Sequence, residues 1–310
     1  MVITLSESVV ELKEVVIKPV TIRQLLDSIV RRNYTAFNSP MKLNGYYREF
    51  VFTNAKCNEY SDALFEYYYD NSLKKGGQVK IDASRCEKAV RKNEKNQNFE
   101  AFVDSKANPD KLFDFAMLAG MLNQFFSDKQ LDDYKYSIEG NNLNRDLLIT
   151  ISPKPVSDKA YKLQFITSDD LMLRSYKLEI PDGLLKNAKE RSIMGIHGKI
   201  TAFLIEARYG VSNNGIYPEY FKIIKDVKIY GKFLGTVLDQ ITAQKSEFIV
   251  TQINTKNVTP FPKNEIYKKG NICDNGIAIN TALLKDYNFI PQTKKDSLAI
   301  SSITKDIAAN

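Results

Sequence analysis

Between residues 134 and 253 apolar and polar positions alternate with a period of two. The runs are Tyr134, Tyr136 and Ile138; Leu147, Ile149 and Ile151; Tyr161, Leu163 and Phe165; then Leu171 and Leu173. A period of two places alternate side chains on one face, which is the signature of half-buried strands. Turn residues separate the runs at Gly140-Asn-Asn, Ser152-Pro-Lys-Pro and Ser168-Asp-Asp, so the pattern predicts an antiparallel meander. Residues 199–209, 217–233 and 245–253 continue it, with Ser212-Asn-Asn-Gly215 as a strong turn. Nearer the N-terminus, residues 43–52, a four-residue turn, and the run from Tyr60 to Tyr69 predict a hairpin. In its first strand Tyr47, Glu49 and Val51 share one face, and Tyr46, Arg48, Phe50 and Phe52 share the other. A three-residue register puts Arg48 opposite Asp62, an ion pair that would hold the register. A slip of one residue pairs Arg48 with Ser61 or Ala63 instead.

Two segments carry a helical period. Thr21 can cap a helix over 22–33, in which Ile22, Leu25, Leu26, Ile29 and Val30 form a one-sided apolar stripe suited to lying on a sheet. Asn108 and Pro109 open a second helix, predicted over 109–127. Its apolar residues, among them Leu112, Phe113, Phe115, Met121 and Phe125, cover nearly its whole circumference. Such a helix is buried, or sits inside a curved sheet as a stopper. The expected fold is therefore α+β: a strongly curved antiparallel half-barrel of about eight to ten strands, with an N-terminal amphipathic helix and a second apolar helix packed on or in it. No strand-helix alternation points to a parallel sheet or a dinucleotide fold.

Residues 1–18 read as two short strands, the tail of a preceding module or a linker. Residues 19–255 form the main curved-sheet domain. From 256 to 310 no sustained period appears, and an irregular extension wrapping the surface is expected, with 301–310 fraying.

The 310 residues carry 43% hydrophobic side chains, enough for a substantial core, and no apolar run long enough to predict a membrane-spanning helix. The net charge is +7, and part of it is local. Lys74, Lys75, Lys80, Arg85, Lys88, Arg91, Lys92 and Lys95 are set against Asp82, Glu87 and Glu94. A solvated loop or exposed strand face is the favoured reading, with anionic headgroups as the functional one. Tryptophan is absent and no nucleic-acid module accompanies the segment, so no nucleic-acid partner is expected. Cys57, Cys86 and Cys273 lack the spacing of a disulfide framework or zinc site, although one pair could bridge. His197 is the single histidine, which speaks against Ser-His-Asp hydrolysis. The phosphate, zincin and nucleophile-elbow motifs are absent, and SxxK at Ser72 and Ser302 lacks its companion motifs. No enzyme, cofactor or metal site is predicted.

Leu12-Lys-Glu-Val-Val-Ile17, the helix ending in Asn33-Tyr34, Asn44-Gly-Tyr-Tyr-Arg-Glu49 and Tyr60-Ser-Asp-Ala63 together carry a family resemblance. The chain resembles the cell-envelope proteins that contain a carboxypeptidase-like regulatory domain, in the domain that follows that module. Tyr46 and Asp62 stand where that family has Phe and Glu. The resemblance implies an exported periplasmic or outer-membrane-associated protein, with a signal peptide outside this chain and a β-sandwich module in place of peptidase activity. At fold level the chain also looks like the periplasmic lipoprotein-carrier half-barrels (LolA/LolB-like). Two functions follow as expectations. One is a binding domain for lipid, an acyl chain or another apolar ligand, lined by Phe50, Phe165, Phe203, Phe115, Met121 and Phe125. The other is a scaffold at the outer membrane that recognises a protein or glycan, with contact to a membrane surface or an envelope protein.

Overall fold

The computed structural model describes residues 20–37, 40–70, 77–89, 109–117, 121–122, 125–126, 128–140, 145–212, 215–233, 235–267, 272 and 293–308. The strands expected before residue 18 and the cations Lys74, Lys75, Arg91, Lys92 and Lys95 lie outside these residues. Among the described residues eleven strands form one antiparallel sheet that does not close into a barrel. They are β1 (Met41–Thr53), β2 (Lys56–Tyr69), β3 (Gln78–Lys88), β4 (Tyr134–Gly140), β5 (Asp146–Pro153), β6 (Lys162–Ser168), β7 (Leu173–Glu179), β8 (Glu190–Ile193), β9 (Ile196–Ser212), β10 (Gly215–Phe233) and β11 (Thr236–Asn254). Their order across the sheet is β3-β2-β1-β11-β10-β9-β7-β6-β5-β4, with β8 continuing along β9 where β7 stops. The curved-sheet α+β class is thus the observed one. The count exceeds the expected range because β3 is a strand and β8 adds a short edge.

One rung explains why these residues make this sheet. On the inner face Ile149, Phe165, Tyr176, Ala207, Phe221, Phe248, Tyr47 and Ala63 face their neighbours in unbroken register from β5 to β2, and all are buried. The next residue on most of these strands is charged and points to the outer face. Arg85, Asp62, Arg48, Glu247, Lys222, Glu206 and Lys177 therefore form a row of alternating sign across seven strands. A slip of one residue anywhere would carry charge into the core, so burial itself selects the register. Each buried Phe contributes about 1.5–3 kcal/mol, far more than any one exposed charge pair.

The β1–β2 hairpin closes on two residues, Asn54 and Ala55, both with positive φ, rather than on the expected four. A bulge at Val51/Phe52 absorbs the difference. A second bulge at Asn44/Gly45 needs its glycine, because a Cβ there would meet the carbonyl oxygen of Ile249 and the ring of Phe65.

Helix α1 (Ile22–Ala36) carries the expected stripe and is closed at its start by a capping box of Thr21 and Gln24. It runs three residues beyond the predicted end. Asn33, buried on the sheet side, donates Nδ2 to the carbonyls of Ile29 and Leu171, and its Oδ1 accepts from the Leu173 amide. One side chain thereby ties the helix to the β6–β7 turn.

Helix α2 (Pro109–Ala116) is shorter than the 109–127 reading, although Met121, Leu122 and Phe125 are helical again. The C-terminal extension also departs from expectation. Residues Lys294–Ala308 form helix α3, opened by a reciprocal Thr293/Asp296 cap and anchored on the outer face by Ile303 against Phe50, Cys57 and Tyr60. The Thr-x-x-Asp signal was present in the sequence. Its apolar period was too weak to stand out in the sequence.

Candidate functional site

The inner face of the sheet is a trough, and α2 lies in it. Phe113 is the anchor: its ring stacks on Tyr67 at 4.1 Å and on Phe248 at 4.3 Å, and meets the edge of Phe65 at 4.9 Å. The last turn of α2 ends on the sheet, where Tyr176 Oη donates to the Phe115 carbonyl at 2.8 Å and Tyr209 Oη to the Ala116 carbonyl at 2.5 Å. Two carbonyls that a helix end leaves unsatisfied are thus met by phenols rising from β7 and β9. Burial pushes both phenols well above their ordinary range, so they remain donors throughout the accessible pH range.

Of the residues predicted to line a cavity, Phe125 and Phe203 come together at 5.4 Å, with Tyr161 against both rings at 5.0 and 5.4 Å. Phe115 lies 6.2 Å from Phe125, while Met121 and Phe165 are buried in the same core. Phe50 is elsewhere. It sits on the outer face beneath α3, because β1 sends its odd residues from Tyr47 to Val51 inward and Phe50 outward. Among the described residues, Leu112, Phe113, Ala116, Met121 and Leu122 are buried against the inner face of the sheet. A cleft of about 460 Å³ does open beside the start of α1, between Ile22, Leu131, Tyr134 and Lys154.

Arg48 and Asp62 do stand opposite each other in the ladder. Their charge partners come from the flanking strands: Arg48 bonds Glu247, while Asp62 receives Arg85 Nη2 at 2.5 Å together with the hydroxyls of Tyr46 and Tyr60. The basic segment is correspondingly muted on β3. Lys80 pairs with Glu66, Asp82 and Glu265, Arg85 with Asp62, and Lys88 with Glu59.

Glu49 was not singled out from the sequence, although it alternates with Tyr47 on the inward face, and a carboxylate there is the anomaly to look for. It is buried, and its Oε2 accepts from Tyr47 Oη, Gln244 Nε2 and Ser246 Oγ at 2.8, 2.9 and 2.8 Å. Desolvation outweighs these bonds and pushes its carboxyl up to about 8. His197 also gains partners, with Ser192 Oγ at 2.7 Å and Glu190 Oε1 at 2.8 Å. Both meet Nδ1 on an exposed hairpin. A hydrolytic relay needs the nucleophile on one ring nitrogen and the carboxylate on the other, so this trio lacks that geometry. No group of three metal-ligating side chains occurs among the described residues. Cys86 is disulfide-bonded, and Cys57 is free and buried.

No family model and no curated protein matches the chain. Solved structures that resemble it include the following three. One is titled as lipid-protein interactions in lipovitellin, with 8% identity and a TM-score of 0.30, covering 76% of this chain and 27% of that one. The chain thus spans about a quarter of that protein's length. A second, an outer membrane lipoprotein-sorting protein domain from Vibrio parahaemolyticus, has 9% identity and a TM-score of 0.28 over 77% of this chain and 94% of that one. The third, a LolA superfamily protein from Nitrosomonas europaea, has 8% identity and a TM-score of 0.23 over 81% and 99%. At these TM-scores the likenesses carry no functional weight.

Proposed function

We propose that this chain is a non-enzymatic binding domain of the cell envelope that holds an apolar ligand, a lipid or acyl chain, in the trough that α2 now fills. The observation that carries the reading is Phe113. Among the described residues, the ring that fills the aromatic slot between Tyr67 and Phe248 comes from one short helix. Displacing it would uncover a continuous apolar surface from Tyr67 and Phe65 through Phe248 to Phe221 without breaking a strand. Apolar pockets with a few polar groups are the usual form of such sites, and the hydroxyls of Tyr176 and Tyr209, freed from the helix carbonyls, would supply them. The disulfide at Cys86 suits an oxidising compartment, in keeping with the envelope location implied by the sequence resemblance.

Native mass spectrometry of protein purified from an envelope fraction, followed by organic extraction and lipid analysis, tests this reading. A stoichiometric adduct removed by extraction is expected, and Phe113→Ala should bind a fluorescent acyl probe more tightly than the parent. A clean apo mass together with an unchanged probe affinity would overturn the reading in favour of a filled scaffold domain that recognises an envelope protein or glycan.

A further inference from the structure

Strands β9, β10 and β11 run past their neighbours. The pairing of β1 with β11 ends at Thr53↔Thr242 and that of β7 with β9 at Glu179↔Leu204, whereas β10 and β11 stay paired to Phe233↔Thr236. Six further residues extend the β10–β11 hairpin by roughly 20 Å. With β8 along β9 they make a four-stranded arm that has a small core of its own, Ile196, Val227, Ile229 and Leu238. At its end the two hairpin turns are joined: Lys232 N donates to Gly195 O, and Gly231 has no room for a Cβ beside Gly195.

The end of this arm is apolar where it meets solvent. Met194 is 78% exposed, Val237 73% and Ile193 53%, and all three stand at the end of the arm, Ile193 on the face of its partner Ile196 and Val237 on the face opposite to Leu238. Scattered exposed apolar residues are ordinary, but three on both faces of the tip of a projecting arm are suited to end-on insertion. Around and behind the tip lie Lys189, Arg191, Lys199, Lys228 and Lys232. The two carboxylates nearby are already engaged. Glu190 accepts from Tyr230 Oη and meets His197, and Asp239 lies 3.4 Å from Lys228.

We propose that this tip docks on an anionic lipid bilayer, with Ile193, Met194 and Val237 entering the headgroup boundary and Arg191, Lys199 and Lys232 meeting lipid phosphates. The spacing suits both layers. Apolar anchors of this kind bury to about 5–10 Å, and Arg191, three strand residues behind Met194, lies about 10 Å further back at headgroup level. Lys189, Arg191, Lys199, Lys228 and Lys232 outnumber Glu190 and Asp239, so the collar carries a net positive charge that an anionic surface attracts. The site is separate from the α2 trough and does not depend on the ligand-binding proposal.

Co-sedimentation of the full chain with vesicles of phosphatidylglycerol and phosphatidylcholine, against phosphatidylcholine alone, decides the matter. The triple variant Ile193→Thr, Met194→Asn, Val237→Thr keeps strand-forming residues on the strands and puts Asn at the positive-φ turn position, so it should fold. The parent should bind the anionic vesicles selectively. The triple variant, and separately Arg191→Gln with Lys232→Gln, should each lose about tenfold or more in partition. Absence of binding, equal binding to both vesicle types, or binding that the triple variant leaves unchanged would each overturn the proposal.

Discussion

Arg48 Nε donates to Glu247 Oε1 at 2.7 Å between β1 and β11, two strands 199 positions apart in sequence, and both side chains are almost fully buried. Glu247 also accepts from Tyr220 Oη, and the salt bridges of Arg48 and Lys245 to Asp296 tie the start of α3 into the same group. The contact is the middle of the outer-face charge row, and it joins the N-terminal hairpin to the last strand of the sheet.

Removing one member of a buried pair leaves the other uncompensated, which costs about 3–5 kcal/mol. Lys245 Nζ still lies 3.3 Å from Glu247, so Arg48→Met should destabilise the fold in urea titrations by less than that full amount. The double variant Arg48→Met, Glu247→Leu should recover most of the loss, because neither charge then remains. Additive losses in the double variant would show that the two residues act separately.

Glu49 sets a pH dependence whose sign is opposite to that of an ordinary ion-paired carboxylate. Its carboxyl is raised to about 8 in the fold, mainly by desolvation, against an ordinary value near 4.5. The folded state therefore holds a proton that the unfolded chain has lost between these two values. The stability from this group is complete below pH ~4.5 and is lost as pH rises through ~8. Glu49→Gln should flatten the decline in melting temperature from pH 5 to 8, with its largest advantage over the parent at the alkaline end.

Asn33→Ala removes three hydrogen bonds at once and strands the Leu171 carbonyl and the Leu173 amide. A loss of about 2–4 kcal/mol is expected, since each unsatisfied buried backbone group costs about 1–3 kcal/mol. Hydrogen exchange should quicken at the β6–β7 turn, and an unaltered exchange pattern there would count against the bridging role.

Cys57 is buried and its thiol is pushed up to about 12, chiefly by desolvation, so it should resist alkylation in the native protein. With three cysteines in the chain and Cys86 disulfide-bonded, the unreduced denatured protein should show a single reactive thiol. Prior reduction should expose all three. Rapid alkylation of native Cys57 would contradict its burial beneath α3.

Much of this was legible from local periodicity. The strands of the meander, the long strands after residue 196, the start of α1 at Thr21 and the strand of Arg48 all announce themselves through alternation or caps. β3 did not, because Val79 and Ile81 alternate with Lys80 and Asp82 inside a segment that reads first as charge. β8 has four exposed residues and no apolar face at all, so it carries no signal of its own. Phe50 was assigned to the trough on residue type, although its parity with Arg48 already put it on the opposite face.

For the meander, the long strands after residue 196 and the first hairpin, the amino-acid pattern was enough to mark the strands and their alternation, and with them the class, an antiparallel sheet with one amphipathic and one buried helix. These follow from the side-chain period and from the cost of burying polar groups, both of which act over a few residues. Tertiary structure alone decided that β1 pairs with β11, that Arg48 takes Glu247 while Asp62 takes Arg85, that Glu49 is desolvated, and that α2 stops where Tyr176 and Tyr209 reach its carbonyls. It also brought two hairpin turns to one tip. Each of these depends on groups far apart in the chain, whose distance and solvent exposure exist only once the sheet has closed around them.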